Sequence, residues 1–297
     1  MNRRHFSKTL AGAALGSAAL SLGRCEAAPG TAQPNPSEVP FKLSVMLWTI
    51  LPNFPFEARL EKVAAAGYHA VELVGEYAQW TEDDFRRYNR KRAALGITFD
   101  TTAGLHHGVG DPAAREAFLA DLRKEMETMQ KIECPAVIVM SGNVVPGLPA
   151  EAQHASCVEG LKRAAEIVEG KGVTLFLENI DLEENPHYYL WSVPEAFKII
   201  EEVNHPQIKF LYDLFHAQIS GGNLIANLQR HADKVGLIHI ADVPGRHQPG
   251  TGEINYRNIY KKLAELKYQH YVAMEFLPLG DPVQALVHAR QEACEAA

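Results

Sequence analysis

Eight short apolar runs recur along the chain, 25 to 39 residues apart. They begin at Ser44 (SVMLWTI), His69 (HAVELVG), Gly96 (GITFDTT), Pro135 (PAVIVMSG), Val173 (VTLFLENI), Ile208 (IKFLYDLFH), Val235 (VGLIHIAD) and His270 (HYVAMEF). Between them lie segments with the 3.6-residue periodicity of helices, such as PFEARLEKVAAAG and NYRNIYKKLAELKY. Several of these segments end in Gly just before the next run, as helices do. Strands that alternate with helices form parallel βαβ units. Eight such units predict a (β/α)8 TIM barrel over residues 41–297. A doubly wound sheet is the alternative, but the first unit lacks the Gly-rich phosphate loop such sheets use.

The N-terminus reads differently. Arg3 and Arg4 are followed by Phe6, Lys8 and a run of Ala, Leu, Gly and Ser, the order of a twin-arginine export signal over residues 1–28. Residues 29–40, rich in Pro and polar side chains, read as a linker. The expectation is a periplasmic or extracellular protein. Loss of Arg3, Arg4, Lys8, Arg24 and Glu26 with the signal would take the formal charge from −7 to −10. An acidic chain without a basic stripe is a poor nucleic-acid binder. Past the N-terminus no apolar run is long enough to span a bilayer. Cys134, Cys157 and Cys294 are too scattered for a disulfide framework or a cysteine metal site.

In a barrel of this kind chemistry sits at the C-terminal ends of the strands. Polar residues there are few. Glu178 ends the fifth run and Asp213 the sixth, with His216 three residues on. His239 lies in the seventh, before Asp242 and Arg246, and Glu275 ends the eighth. Glu72, Glu76, Asp100, Thr101, Thr102, His106 and His107 follow earlier runs. Glu178, Asp213, His239 and Glu275 come from four successive strands and can converge. Three carboxylates packed together repel unless a cation joins them. Oxygen ligands with one nitrogen suit a single divalent metal ion, Mn²⁺ or Mg²⁺, with Co²⁺ or Zn²⁺ also compatible. Glu72 is expected to be structural, and His106 and His107 to lie on a solvated loop.

The segments LFLENID, FLYDLFHAQ, HIADVPGRHQPGTGEINY and VAMEFLP resemble the xylose-isomerase-like barrel superfamily of sugar isomerases and epimerases, and within it the hydroxypyruvate isomerase family. The likeness runs from about Lys42 to Pro278. It implies metal ligation by Glu178, Asp213, His239 and Glu275. His239 stands where hydroxypyruvate isomerases typically carry Gln and keto-sugar 3-epimerases carry His. Arg246, brought in by the Gly/Pro loop, would hold substrate hydroxyls or a carboxylate. His216 would contact a substrate hydroxyl, and Trp48 would wall one sugar face or fill core. Glu253 is expected to fix the loop that carries Arg246.

The reaction expected is isomerisation or epimerisation of a small sugar or hydroxy-keto acid. A proton is taken next to a carbonyl, a metal-stabilised enediolate forms, and Glu178 and Glu275 exchange the protons. Two alternatives stay open. One is a lyase acting on 3-keto-glycosides by the same chemistry, and the other is a non-catalytic sugar-binding barrel.

Overall fold

The computed structural model describes residues 39–297. The segments expected to be an export signal and a linker, through residue 38, lie outside the described residues. Eight strands run β1 (Lys42–Met46), β2 (Ala70–Leu73), β3 (Thr98–Thr102), β4 (Ala136–Val139), β5 (Thr174–Glu178), β6 (Ile208–Asp213), β7 (Val235–Ile240) and β8 (Tyr271–Met274). They close into one parallel barrel in sequence order, with β8 paired back onto β1. Helices fill every gap and form the outer layer. The expected (β/α)8 architecture is the one observed.

Local chemistry sets the helix starts. Thr81 and Asp84 form a reciprocal capping box on the helix Glu82–Ala94. Asp281 caps Pro282–Ala296, with Pro282 in the first turn, where its missing N–H costs nothing. The first apolar run is not one strand: β1 stops at Met46, and Leu47–Ile50 turn into a short helix that carries Trp48. Among the described residues no helix is long and apolar enough to cross a membrane. Cys134, Cys157 and Cys294 are free thiols.

The apolar interior has two parts. A large one lies between strands and helices, and a small one fills the barrel lumen. Met46, Ile138, Phe176, Leu211, Leu237 and Ala273 belong to the lumen cluster. Phe176 fits because β7 has a glycine beside it. A Cβ on Gly236 would stand 2.5 Å from the Phe176 ring, far inside van der Waals contact.

Candidate active site

Side chains two apart on a strand share a face. Phe176, Leu211, Leu237 and Ala273 point into the lumen. Two positions on from each come Glu178, Asp213, His239 and Glu275. The same alternation that buries the apolar layer therefore aims these four polar groups inward, one layer nearer the C-terminal mouth. Register sets Asp213 beside His239, while Glu178 is opposite Leu211 and Glu275 lies two residues beyond Ala273, the partner of His239. All four residues are buried, and each offers one ligand atom within 4.8 Å of the others'.

Charge is concentrated here. Burial, with Glu275 and Asp213 nearby, pushes the Glu178 carboxyl up to about 8 against the pull of His239. Asp213 is also raised, chiefly by burial. Glu275 goes the other way: burial would raise it, but Arg246 and His239 hold it well below the usual carboxylate range. His239 Nδ1 lies 2.8 Å from Glu275 Oε2 and 3.9 Å from Glu178 Oε1. Its Nε2 lies 2.9 Å from Glu72 Oε2. That contact is too bent for a hydrogen bond, and both oxygens of the fully buried Glu72, like His239 Nε2, have no hydrogen-bond partner. Burial alone would lower the His239 pKa, but the two carboxylates raise it well above its ordinary value. Three hard carboxylates and one imidazole nitrogen, converging in a buried pocket, fit a divalent ion. Their mutual repulsion is the strain a cation would relieve.

Arg246 closes the site. Its Nη2 lies 2.9 Å from Glu275 Oε1 and its Nη1 2.5 Å from Glu184 Oε2. The residue adopts φ +56°, left-handed backbone that a non-glycine residue rarely holds. Asp242 holds the loop, correcting the expectation for Glu253. The Asp242 carboxylate accepts backbone N–H bonds from Val243, Gly250, Gly252 and Ile254 at 2.8–3.0 Å. The Glu253 side chain only accepts a bond from Gln218, on an exposed surface.

His216 is buried, paired through Nδ1 with Asp181, and its Nε2 lies 3.5 Å from Asp213. Burial opposes its charge, but Asp213 and Asp181 lift its pKa to about 9. Trp48 donates from Nε1 to Glu275 Oε1 at 3.2 Å and borders the cavity. It is 45% exposed, so it is a wall and not core filler. His107 pairs with Asp121 on an exposed loop, as expected. Three participants were not singled out in the sequence for these contacts: Glu72 behind His239, Asp181 behind His216, and Glu184 beside Arg246. Asp181 and Glu184 lie in the loop after β5, where barrel sites recruit residues, and that position was their available signal.

The comparisons agree with this fold. Residues 60–291 match the model of the family described as xylose isomerase-like TIM barrel. A putative hydroxypyruvate isomerase of Danio rerio is 31% identical over 259 residues, covering 82% of this chain and 92% of the relative. A 2-oxo-tetronate isomerase of Pectobacterium atrosepticum is 29% identical over 243 residues, covering 80% and 93%. Among solved structures, an AP endonuclease, family 2, from Brucella melitensis superposes with TM-score 0.76 at 24% identity, covering 82% of this chain and 96% of that one. The IOLI protein, solved with a zinc atom, superposes with TM-score 0.69 at 20% identity, covering 86% and 96%. By sequence match over most of its length, the chain belongs to the xylose isomerase-like TIM barrel family.

Proposed function

We propose that this sugar isomerase or epimerase is divalent-metal-dependent and acts on a small α-hydroxy carbonyl compound, of the hydroxypyruvate or 2-oxo-tetronate kind. The observation that carries the reading is the convergence of Glu178 and Glu275 with Asp213 and His239 under Arg246. Glu178, Asp213, His239 and Glu275 would hold the metal. A bound divalent ion supplies Lewis acidity that offsets negative charge building on substrate oxygens. Zinc in one structural neighbour and isomerase names among the sequence relatives support the reading.

The chain's own residues divide the work. Arg246 and His216 bind substrate oxygens, and the guanidinium fork fixes their orientation. Glu275, held deprotonated, takes the proton from the C–H beside the carbonyl, and that electron pair moves to the carbonyl oxygen. Glu178, unprotonated when it holds the metal, takes the proton of the neighbouring hydroxyl and delivers it to the neighbouring carbon or the opposite face, while Glu275 passes its proton to the oxygen left charged. Export by the segment 1–28 belongs to the same proposal, and fractionation of cells expressing the native and an Arg3→Lys/Arg4→Lys chain tests it. Only the native chain should reach the periplasm.

The test of function is solvent-deuterium exchange in Mn²⁺-supplied protein, read by NMR over hydroxypyruvate, 2-oxo-tetronate and keto-hexoses. Deuterium at the carbon beside the carbonyl in at least one of them is the expected result. Silence across the panel, with the metal bound, contradicts the reading.

A further inference from the structure

The site cavity has two unlike walls. Its volume is about 380 Å³, the liquid-volume share of about a dozen waters at about 30 Å³ each. A three-carbon hydroxy-keto acid fills only a fraction of that. Strands β5–β8 and their loops supply the charged and polar wall already described. The opposite wall comes from β1–β4 and is apolar: Met46, Val74, Ala103, Leu105, Ile138 and Met140, with the Trp48 ring above. A free sugar or sugar acid carries hydroxyls along its length, and this wall offers it no side-chain hydrogen bond.

The apolar strip passes beyond the cavity at three residues. Val74, Ala103 and Leu105 also line a neighbouring hollow of about 470 Å³, where Trp80 and Phe85 meet the polar side chains of Asp121, Lys124, Glu125 and Lys131. The exposed large apolar side chains of the described residues gather at the same end of the barrel. Trp48 follows β1, Val74 follows β2, Val144 follows β4, Trp191 follows β5, and Leu277 and Leu279 follow β8. Clustered apolar exposure rimmed by polar groups marks a binding surface. Its continuity with the cavity at Val74 and Trp48 ties it to the site's own ligand.

We infer that the natural substrate carries an aryl-sized apolar substituent, seated on the β1–β4 wall while its α-hydroxy carbonyl part faces Glu178 and Glu275. The inference rests on the α-hydroxy carbonyl chemistry proposed above and goes beyond it in the size and apolar character of the substrate. The chemical class is a keto-sugar derivative with an apolar group, such as a glycoside with an aromatic aglycone. Binding energy from that remote group is available to orient the reacting carbons.

A matched pair of ligands tests it: the methyl and phenyl glycosides of a glucose oxidised to the ketone at C3. Calorimetric affinity in Mn²⁺-loaded protein decides the inference, and C–H deuterium exchange separately decides the proposed function. The phenyl compound should bind at least tenfold more tightly than the methyl one. Val74→Asn should bring that ratio toward one without weakening the methyl compound, and Leu105→Asn is the second variant should the first fail to fold. Equal affinities in the native chain would overturn the inference even if both compounds exchange. A second copy of the chain covering the mouth would overturn it too. Its signs are a dimer in sedimentation that Leu279→Lys dissociates, and a phenyl-to-methyl ratio of one. A preserved phenyl preference with no exchange in any compound would leave the apolar subsite standing and remove the proposed reaction.

Discussion

Glu72 stands behind His239, its Oε2 2.9 Å from Nε2 on the side of the ring away from Glu275. Nδ1 is the nitrogen that faces the other ligands, Glu275 and Glu178, so a bound metal would take Nδ1 and leave the Nε2 hydrogen directed at Glu72. An outer partner of this kind typically accounts for about 10–100-fold in metal affinity. Glu72→Gln should weaken Mn²⁺ binding by that order, measured by calorimetry. In a His239→Gln background the ligand has no tautomer to fix, so adding Glu72→Gln should change little. Full additivity of the two changes would show that Glu72 acts on the fold and not through His239.

Asp213→Ala removes an anionic ligand. Metal affinity should fall by more than about 100-fold, beyond the range for outer partners. Elemental analysis of the purified variant checks it. Full occupancy would remove Asp213 from the site.

The raised Glu178 carboxyl makes metal binding pH-dependent. The ligand must lose its proton, so affinity should rise with pH by about tenfold per unit for this group up to about 8, and the raised His239 adds to the same upward trend. The metal-free chain shows the opposite sign. The folded state keeps a proton that the unfolded chain releases at its ordinary pKa of 4.5. That contribution to stability is fully present below about 4.5 and is lost as pH rises through about 8. Denaturation midpoints with and without Mn²⁺ across this window check both signs.

Asp242→Ala strands four backbone N–H groups of the loop that carries Arg246. Each bond to a charged acceptor is worth about 1.5–3 kcal/mol. KM should rise and stability should fall together, while metal binding stays. Arg246→Ala should raise KM as well, with stability less affected. Arg246→Lys should rescue it only in part, since an ammonium lacks the planar fork. Steady-state kinetics and urea denaturation on the three variants separate loop from recognition.

The barrel was legible because its pattern is repeated eight times, and each apolar run reports the same environment. The four converging residues were legible for a related reason. Strand alternation carries Phe176 to Glu178 and Leu237 to His239, so an apolar lumen layer announces the polar layer above it. The loops obey no such period. Glu253 looked like the loop's anchor and Asp242 is, because backbone N–H groups converge on a carboxylate only once the turn is folded. Trp48 sat in an apolar run that reads as strand, yet the chain turns into a helix at Leu47. Glu72 lies inside β2, and only barrel closure brings it to His239, more than half the chain away in sequence.

The central claim is proton transfer between substrate carbon and the paired carboxyls of Glu178 and Glu275. Deuterium incorporation into substrate in D₂O, comparing the native chain with Glu275→Gln at equal metal occupancy, tests it most directly. Loss of at least 10²-fold in exchange rate, with substrate still bound, is the predicted result, in line with removing a general base. Exchange at the native rate in Glu275→Gln would contradict the account.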